Sequence, residues 1–421
     1  MFKFIHAADI HLDSPMRKLD FYEGAPVGEF RQATRRAFEN LIQLAISENV
    51  AFVVIAGDLY DGDWKDYNTG LYLVAQMSRL RDAGISVFIV TGNHDAASNI
   101  TKTLRFPDNV KIFPSDRPAT LQMENPKVAI HGQGFASPAV KKDLASGYPM
   151  PMEGFYNIGL LHTCATGREG HEPYAPCSPE DLKNKGYDYW ALGHVHQYEV
   201  MGKHPHIVFS GNTQGRHPRE TGSKGCILVT VGHSLETETE FIPIDVVRWA
   251  IAEVDAMGTE SGYDILDRVR KILENLLEEN DGMPLATRVH ISGKTFAHGE
   301  FLSDLERWMN EIRSVALDAG NGRIWIEKIR VETKLPDSGR TPEQKDGAIG
   351  ELLKLFDELS AETTVHPDLI NELADLERKL PLELKAMEEG LKFSNADWMK
   401  DMLEQVRPML VKRLLRKGAG E

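Results

Sequence analysis

The sequence predicts an α/β fold for residues 1–245, followed by a smaller α+β segment and a helical segment. Two observations carry the α/β prediction. Nine short runs rich in Val, Ile and Phe each end near glycine or a polar residue, which is typical of buried strands. Amphipathic stretches separate these runs, and strands that alternate with helices indicate an α/β domain.

The strand-like runs follow one another along the first domain, and a clear helical pattern lies between the first two. In residues 30–49 the side chains of Phe38, Leu41, Ile42 and Ala45 share one face at helical spacing, so we expect a helix there. The nine predicted strands are FKFIHA, FVVIAG, VFIVTG, KVAIHG, IGLLHT, YWALGH, IVFSGN, CILVTV and EFIPID.

Two segments follow the first domain. Residues 246–335 combine a helical pattern at 263–280 with strand-like runs at 287–295 and 323–333, which predicts a small α+β domain. Residues 336–421 open with a linker of loop composition and continue as mostly helical sequence with two apolar stripes. Those stripes either pack on their own chain or form a docking surface for another protein. Their residues are Leu352, Leu355, Phe356 and Leu359 in one, and Trp398, Met402, Val406 and Met409 in the other.

Length, charge and cysteine content narrow the class of protein. A chain of 421 residues predicts two or three domains, and 42% hydrophobic with 26% charged residues is an ordinary globular composition. The formal net charge of −15 argues against membrane surfaces and mildly against broad nucleic-acid binding, although a local basic groove or bound metal ions can override it. With three cysteines, no signal-peptide pattern and no run of about 18 apolar residues, we expect a cytoplasmic protein.

Polar side chains that can bind metal follow five of the predicted strands at their carboxyl ends. In α/β sheets this edge is where binding sites are built. Taken singly, each group has an ordinary explanation, because Asp-x-His is usually a turn or cap and a buried histidine is usually a hydrogen-bonded core residue. Their occurrence together, in order, favours a metal site. The groups are Asp9 with His11, Asp58, Asn93 with His94 and Asp95, His162, and His194 with His196.

The composition of this set points to two metal ions rather than one. Two aspartates, one asparagine and four or five histidines exceed the roughly four to six ligands that one ion takes, so a shared carboxylate would join two ions. Imidazole with carboxylate favours Mn, Fe, Zn, Co or Ni, and the lack of thiolate ligands argues against a closed structural zinc site. Two-metal sites of this kind hydrolyse phosphate esters.

The motifs, in this order, resemble those of the calcineurin-type metallophosphoesterase superfamily. They read Asp9-Ile-His11, Gly57-Asp58, Gly92-Asn93-His94-Asp95, His162 and Gly193-His194-Val195-His196. The resemblance implies a β-sandwich flanked by helices, an α-β-β-α arrangement with the site at one edge of the sheets. The stretches HAADIHLDSP, GDLYD, LLHTCA and SGNTQGRHPRE further resemble the SbcD-type DNA repair nucleases, in particular their shorter YhaO-like branch.

The resemblance also implies a role for each matched residue. Asp58 would bridge two divalent ions, with Mn2+ expected and Fe2+, Zn2+, Co2+ or Ni2+ as alternatives. His94 would sit beside the scissile phosphate and protonate or stabilise the leaving oxygen, oriented by Asp95, while Gly92 would permit the close approach of backbone to ligand. Asp9, His11 and His196 would hold the first ion, and Asn93, His162 and His194 the second.

Three further features leave two interpretations open. The cluster of Arg216, His217 and Arg219 either meets DNA phosphates or forms a solvated turn. Asp61 stands where archaeal relatives tend to carry histidine, and it either alters phosphate contacts and metal binding or is a loop residue. Trp64 either stacks on a base or anchors its own loop.

The resulting hypothesis is a two-metal-dependent DNA nuclease. By resemblance it would act as an exonuclease on double-stranded ends and an endonuclease on single strands and hairpins, as a homodimer and with an SbcC-type or YhaN-like coiled-coil ATPase in DNA end processing and repair. Residues 1–245 would be the nuclease domain, 246–335 a capping domain and 336–421 the linker and ATPase-docking helices. The alternative is a small-molecule phosphodiesterase or nucleotide hydrolase of the same superfamily, for which the long segment after residue 245 is unnecessary.

Overall fold

The computed structural model describes most of the chain. Among the residues singled out above, Trp64, Met409 and nearly all of the predicted linker lie outside the described residues. The described ranges are 1–14, 32–62, 67–96, 104–165, 174–336 and 348–361, with short stretches between 372 and 410. They divide into two compact units. The first comprises 1–251, 276–288 and 323–328, and the second comprises 252–275, 289–322 and the described part of 329–421. The domain boundaries expected at residues 245 and 335 stay predictions.

The strands and helices of the described residues alternate along the chain as the sequence predicts. The strands are β1 (Phe2–Ala7), β2 (Phe52–Ala56), β3 (Ser86–Val90), β4 (Val110–Ile112), β5 (Ala119–Glu124), β6 (Lys127–Gly132), β7 (Tyr156–His162), β8 (Tyr189–Gly193), β9 (Glu199–Lys203), β10 (His206–Phe209), β11 (Gly225–Val231), β12 (Thr237–Pro243), β13 (Arg248–Asp255), β14 (Leu285–Lys294) and β15 (Ile324–Lys334). The helices are α1 (Ala33–Ser47), α2 (Tyr67–Asp82), α3 (Asn93–Ala96), α4 (Pro179–Asn184), α5 (Gly262–Glu279), α6 (His298–Ser303), α7 (Leu305–Ala319) and α8 (Ala348–Ala361).

The first sheet carries helices on one face. Its strand order is β12-β11-β1-β2-β3-β4, in which β1 to β4 run parallel and β11 is antiparallel to both of its neighbours. Phe38 and Leu41 of α1 and Leu73 of α2 pack against alternate strand residues, among them Ile5 and Val53. The apolar face predicted for α1 is therefore confirmed, because it is the face that covers the sheet.

The second sheet packs face to face with the first. Its order is β5-β6-β7-β8-β10-β9, with the four inner strands parallel and the two edge strands antiparallel. Phe4 and Phe52 from one sheet meet Ile130 and Ile158 from the other in a shared apolar core. Leu182 of α4 helps to cover the outer face of the second sheet. The layers run helix, sheet, sheet, helix, which confirms the expected α-β-β-α class.

All nine predicted runs overlap strands of the two sheets, whereas β4, β5 and β9 have no counterpart among them. These three strands lie at sheet edges, and β5 has no fully buried side chain. An edge strand is covered by one neighbour only, so its sequence needs no continuous apolar run. The buried strands β2, β7 and β8, by contrast, are buried at every position.

Residues 246–335 contain a third sheet, ordered β13-β14-β15, and the helices α5, α6 and α7, as an α+β segment should. In the second unit the ring of Trp308 stacks on Phe301 with centroids 5.2 Å apart. On neighbouring strands, the imidazole of His290 lies between two carboxylates, 2.8 Å from Glu253 and 2.9 Å from Glu332. Among the described residues, no helix is long and apolar enough to cross a membrane.

Candidate metal centre

The predicted ligands lie in loops at the carboxyl ends of parallel strands from both sheets. The loop after β1 runs beside the loop after β2, because the N–H of Asp9 donates to the carbonyl of Gly57 and that of His11 donates to Asp58, each at 3.0 Å. After β7, the N–H of Thr163 donates to the carbonyl of Gly193 at 3.1 Å. The facing sheets thus bring five separate loops to one edge of the sandwich.

Four of these predicted ligands hold the left-handed backbone conformation, which is uncommon for residues other than glycine. The angle φ is 49° at Asp9, 44° at His11, 50° at Asp58 and 98° at His194. Backbone strain of this kind costs on the order of 1–3 kcal/mol per residue and clusters at functional sites. The packed sheets on either side must supply the stability that offsets this cost.

The carboxylate of Asp58 lies at the centre of the cluster. Its Oδ2 is 3.8 Å from Nε2 of His11 and 3.6 Å from Nε2 of His162. Its Oδ1 accepts a 2.9 Å hydrogen bond from the backbone N–H of His94. One oxygen is therefore fixed by the backbone, while the other faces two imidazole nitrogens, as a bridging ligand would.

One group of donors lies on the β1 side of Asp58. Nε2 of His11 is 3.3 Å from Nε2 of His196, which in turn is 4.0 Å from Oδ1 of Asp9. The Asp9 carboxylate accepts the backbone N–H of His194 at 2.9 Å, which holds it in place. The predicted first set of Asp9, His11 and His196 is brought together.

The second group lies on the other side of Asp58. Nδ1 of His162 is 2.9 Å from the carbonyl of Ala56 and donates to it, so Nε2 carries the lone pair. That lone pair faces Oδ1 of Asn93, also an acceptor, at 2.9 Å. The ring of His194 packs edge-on to His162 with centroids 5.1 Å apart. Two acceptors that face each other fit a shared cation.

Burial and charge in the cluster also suit cations. Burial, with the nearby carboxylate of Asp58, raises the pKa of Asp9 well above its usual value, and burial raises the pKa of Asp58 to about 6. Burial lowers the pKa of His162 to about 3 and that of His11 well below its usual value. Neutral imidazoles offer a lone pair to a metal, and a bound cation would offset the cost of ionising the crowded, buried carboxylates.

Three sets of three side chains each place their ligand atoms within 4.8 Å of one another. The sets share members, so they form one continuous cluster rather than separate sites. The donors in these sets are imidazole nitrogens and carboxylate oxygens, and Asn93 adds an amide oxygen beside His162. Such donors, without thiolate, suit first-row divalent ions. The residues present therefore fit two ions that share Asp58. The sets are Asp9, His11 and His196; His11, Asp58 and His94; and Asp9, Asp58 and His162.

At two glycines, the lack of a side chain makes room for the candidate ligands. A β-carbon at Gly92 would lie 2.3 Å from Oδ1 of Asp58, and one at Gly57 would lie 2.4 Å from Nδ1 of His162. Gly57 also has a φ of 92°, which favours glycine. The close approach expected at Gly92 is thus present. Gly57, in the loop after β2, makes room for His162 in the same way.

The turn of residues 92–95 divides its three polar side chains between different tasks. Asn93 faces His162, as described above. The imidazole of His94 is 40% exposed, and its Nδ1 is 3.2 Å from Oδ1 of Asp61. The carboxylate of Asp95 is buried and accepts the backbone N–H groups of Leu59, Tyr60 and Gly92 at 3.0–3.3 Å. In the contacts described, Asp95 holds two loops together, and the carboxylate that faces the His94 ring belongs to Asp61.

Asp61 is more than a loop residue. Besides His94, its Oδ1 is 3.1 Å from Nη1 of Arg216, and its Oδ2 accepts the hydroxyl of Ser14 at 2.7 Å. Burial acts to raise the pKa of Asp61, but contacts with His11, Arg216 and Ser14 outweigh it and hold the carboxyl well below its usual pKa. An ionised carboxylate therefore lies beside the His94 ring.

Of the three residues in the predicted basic cluster after β10, only Arg216 contacts the Asp61 carboxylate in the part of the chain described. Arg216 reaches Asp61 and Ser14, both through Nη1. His217 is 48% exposed and Arg219 is exposed, so both lie on the outer side of the turn. The sequence did not single out Glu220, whose Oε1 is 2.6 Å from Nδ1 of His196. Its only sequence signal is the position four residues after Arg216 in QGRHPRE.

Two family models match the chain. A calcineurin-like phosphoesterase model matches residues 2–198, and the middle-domain model of metallophosphoesterase YhaO matches residues 249–334. The uncharacterized metallophosphoesterase YhaO of Bacillus subtilis (strain 168) is 35% identical over 294 residues, which is 69% of this chain and 71% of the relative. The chain belongs to the YhaO-type metallophosphoesterases.

More distant proteins are also similar to this YhaO-type chain. The DNA double-strand break repair protein Mre11 of Sulfurisphaera tokodaii is 24% identical over 328 residues, covering 73% of this chain and 78% of that protein. The crystal structure of a dimetal phosphatase from Danio rerio covers 56% of this chain and 98% of its own, with 11% identity and a TM-score of 0.34. The family-model matches and the 35% identity to YhaO confirm, at the level of the family, the resemblance read from the motifs.

Proposed function

We propose that this YhaO-type protein is a two-metal-dependent DNA nuclease that acts in DNA end processing and repair. It would be an exonuclease on double-stranded ends and an endonuclease on single strands and hairpins. The observation that carries the proposal is Asp58, whose Oδ2 faces imidazole nitrogens of both His11 and His162. A carboxylate shared between two donor groups is how paired ions are held for the hydrolysis of phosphate esters.

Each ion would have its own donors in addition to Asp58. When bound, two such ions polarise the phosphoryl oxygens and make water acidic enough to attack at neutral pH. Mn2+ is our choice because carboxylate and carbonyl oxygens suit it, although Fe2+, Zn2+, Co2+ and Ni2+ also accept imidazole. The first ion would take Asp9, His11 and His196, and the second Asn93, His162 and His194.

His94 is the residue that we assign to proton transfer. Its side chain is 40% exposed, unlike the buried His11 and His162, so a substrate oxygen can reach it. Nδ1 faces Oδ1 of Asp61 at 3.2 Å, which leaves Nε2 directed away from that carboxylate. In the imidazolium form, Nε2–H would donate its proton to the 3′-oxygen as the phosphorus–oxygen bond breaks.

The extent of the match to Mre11 favours DNA over a small substrate. The aligned 73% of this chain is more than residues 1–245 can supply, so the similarity continues past the catalytic sandwich. A small-molecule phosphodiesterase or nucleotide hydrolase has no need of that additional length. The same metal centre would serve such an enzyme, so it is the alternative that experiment must separate.

The charge of the chain sets an expectation for DNA binding. With a net charge of −15, the isolated chain should bind DNA weakly and with a steep dependence on salt, through local cations such as Arg216 and Arg219 together with His217. Filter binding or fluorescence anisotropy at increasing salt measures this. Tight binding that is insensitive to salt would contradict the proposal.

We further propose a homodimer that works with an SbcC-type or YhaN-like coiled-coil ATPase docked on the C-terminal helices. In α8, Leu353 and Phe356 are buried, whereas Leu355 is 51% exposed. Leu355 belongs to the apolar stripe predicted from the sequence, and its exposure leaves that part of the stripe accessible to a partner helix. Size-exclusion chromatography with the purified ATPase should show a complex that Leu355→Glu weakens, and a complex of unchanged affinity would place the contact elsewhere.

The deciding experiment is a nuclease assay on a hairpin-ended duplex, with Mn2+ and with EDTA. We expect the wild type to cleave only with metal, and His94→Gln to lose cleavage while it still binds two metal equivalents. If the wild type hydrolyses bis-p-nitrophenyl phosphate but leaves DNA intact, with the ATPase present as well as absent, the small-molecule alternative is correct.

A further inference from the structure

The side chain of Glu220 lies beside the candidate centre and is only 5% exposed. It ends the turn that follows β10, and its N–H donates to the carbonyl of His217 at 2.9 Å. Its Oε1 is 2.6 Å from Nδ1 of His196, one of the candidate ligands of the first ion, and 3.2 Å from Nε2 of His217. A buried carboxylate therefore contacts Nδ1 of His196, a candidate metal ligand.

The second oxygen of Glu220 is also fully engaged. Oε2 accepts the backbone N–H of Arg216 at 2.7 Å and the side-chain amide of Asn212 at 3.1 Å. Asn212 in turn forms a bridge with Ala8, the residue that precedes the Asp-x-His motif. One carboxylate thus joins His196, the basic turn and the loop after β1.

A carboxylate suits this environment. Among the described contacts, each group that meets the Glu220 carboxylate can donate to it: the rings of His196 and His217, the N–H of Arg216 and the amide of Asn212. A glutamine in the same place would turn its NH2 toward one pair of donors. The buried donors of that pair would then lack an acceptor, which costs more than the loss of an exposed hydrogen bond.

The contact fixes how His196 presents its ring. When Nδ1–H donates to Glu220, the lone pair remains on Nε2. That Nε2 is the atom 3.3 Å from Nε2 of His11 and 4.0 Å from Oδ1 of Asp9. The backbone is held as well, because Nζ of Lys224 donates to the carbonyl of His196 at 3.2 Å. A carboxylate behind a ligand histidine fixes its tautomer and raises its basicity.

We propose that Glu220 is a positioning residue for the first metal ion, acting through His196 and tying that ligand to the turn of residues 216–220. The inference rests on the proposed metal centre. It predicts that removal of the carboxylate weakens one metal site and spares the other, because the donors Asn93, His162 and His194 have no contact with Glu220 among those described. A residue with a purely structural role would affect both sites or neither.

The test is calorimetric titration of the full-length chain with Mn2+, comparing wild type with Glu220→Gln. We expect two binding steps for the wild type and about 10–100-fold weaker binding in one step for the variant. Glu327→Gln is the matched control, because Glu327 is a buried carboxylate whose described partner is Arg288 rather than a candidate ligand. It should bind both equivalents as the wild type does.

A double-mutant cycle separates action through His196 from a general loss of structure. In a His196→Gln background, Glu220→Gln should weaken Mn2+ binding no further, and the metal-free variants should keep a cooperative thermal transition. Additive effects, equal loss at both sites, or wild-type affinity in Glu220→Gln would each overturn the proposal. If the wild type binds no Mn2+, the metal centre itself fails, and the role of Glu220 fails with it.

Discussion

Gly92→Ala tests whether the space beside Asp58 is as tight as the structure shows. The new β-carbon would lie 2.3 Å from Oδ1 of Asp58 and 2.8 Å from its backbone nitrogen, whereas ordinary contacts begin near 3.4 Å. The carboxylate must therefore move by about 1 Å, and a shift of that size at a reacting site costs on the order of 100-fold in rate. Rotation of the Asp58 side chain alone cannot relieve the clash, because the backbone nitrogen of Asp58 is also too close to the added β-carbon.

The assay is hydrolysis of bis-p-nitrophenyl phosphate with Mn2+, together with calorimetric counting of bound metal. We expect Gly92→Ala to lose about 100-fold in rate and to bind Mn2+ more weakly. Gly147→Ala is the control, because the nearest atom to its added β-carbon is Cγ of Pro118 at 3.9 Å. A Gly92→Ala variant with wild-type rate and two tightly bound ions would refute the reasoning.

Three further predictions concern stability, orientation and pH. Asp95→Asn should lower the free energy of unfolding by about 2 kcal/mol in a urea titration, because an amide cannot accept from all three buried N–H groups; an unchanged midpoint would contradict this. Asp61→Asn should slow diester hydrolysis about tenfold by releasing the His94 ring, and an unaffected rate would show that another group orients it. Hydrogen bonding to Glu332 raises the pKa of His290, so this stabilisation is complete below the ordinary histidine pKa and is lost as pH rises through the raised value. His290→Gln should therefore lower the thermal midpoint more at about pH 5 than at about pH 9, and equal losses at the two pH values would exclude the effect.

In the proposed site, the turn of residues 92–95 would serve binding, chemistry and folding at once. Asn93 would supply a ligand oxygen, His94 presents an exposed imidazole, and Asp95 accepts three backbone N–H groups from two loops. Substitutions within this one turn should therefore have different signatures. Changes at Asn93 should act on metal affinity, changes at His94 on rate, and changes at Asp95 on stability.

Much of the fold follows from the sequence because burial leaves a local pattern. All nine apolar runs are strands, and the periodic face of α1 is the face that packs on the sheet. The sequence pattern did not predict the edge strands β4, β5 and β9, because each pairs with a neighbour on one side only and carries no such run. The sequence also predicts which segments hold the candidate ligands, because polar residues directly after buried strands interrupt an otherwise apolar pattern.

The sequence by itself determined the fold class and the segments from which the candidate ligands come, because both depend on short-range periodicity. Only the tertiary structure decided which side chains meet. It placed Asp61, rather than Asp95, against the ring of His94, and it brought Glu220 to His196. Arg216 and Asp61 are 155 residues apart along the chain. Spacing along a sequence carries no information about which loops two facing sheets bring together, so such contacts are fixed only when the sandwich forms.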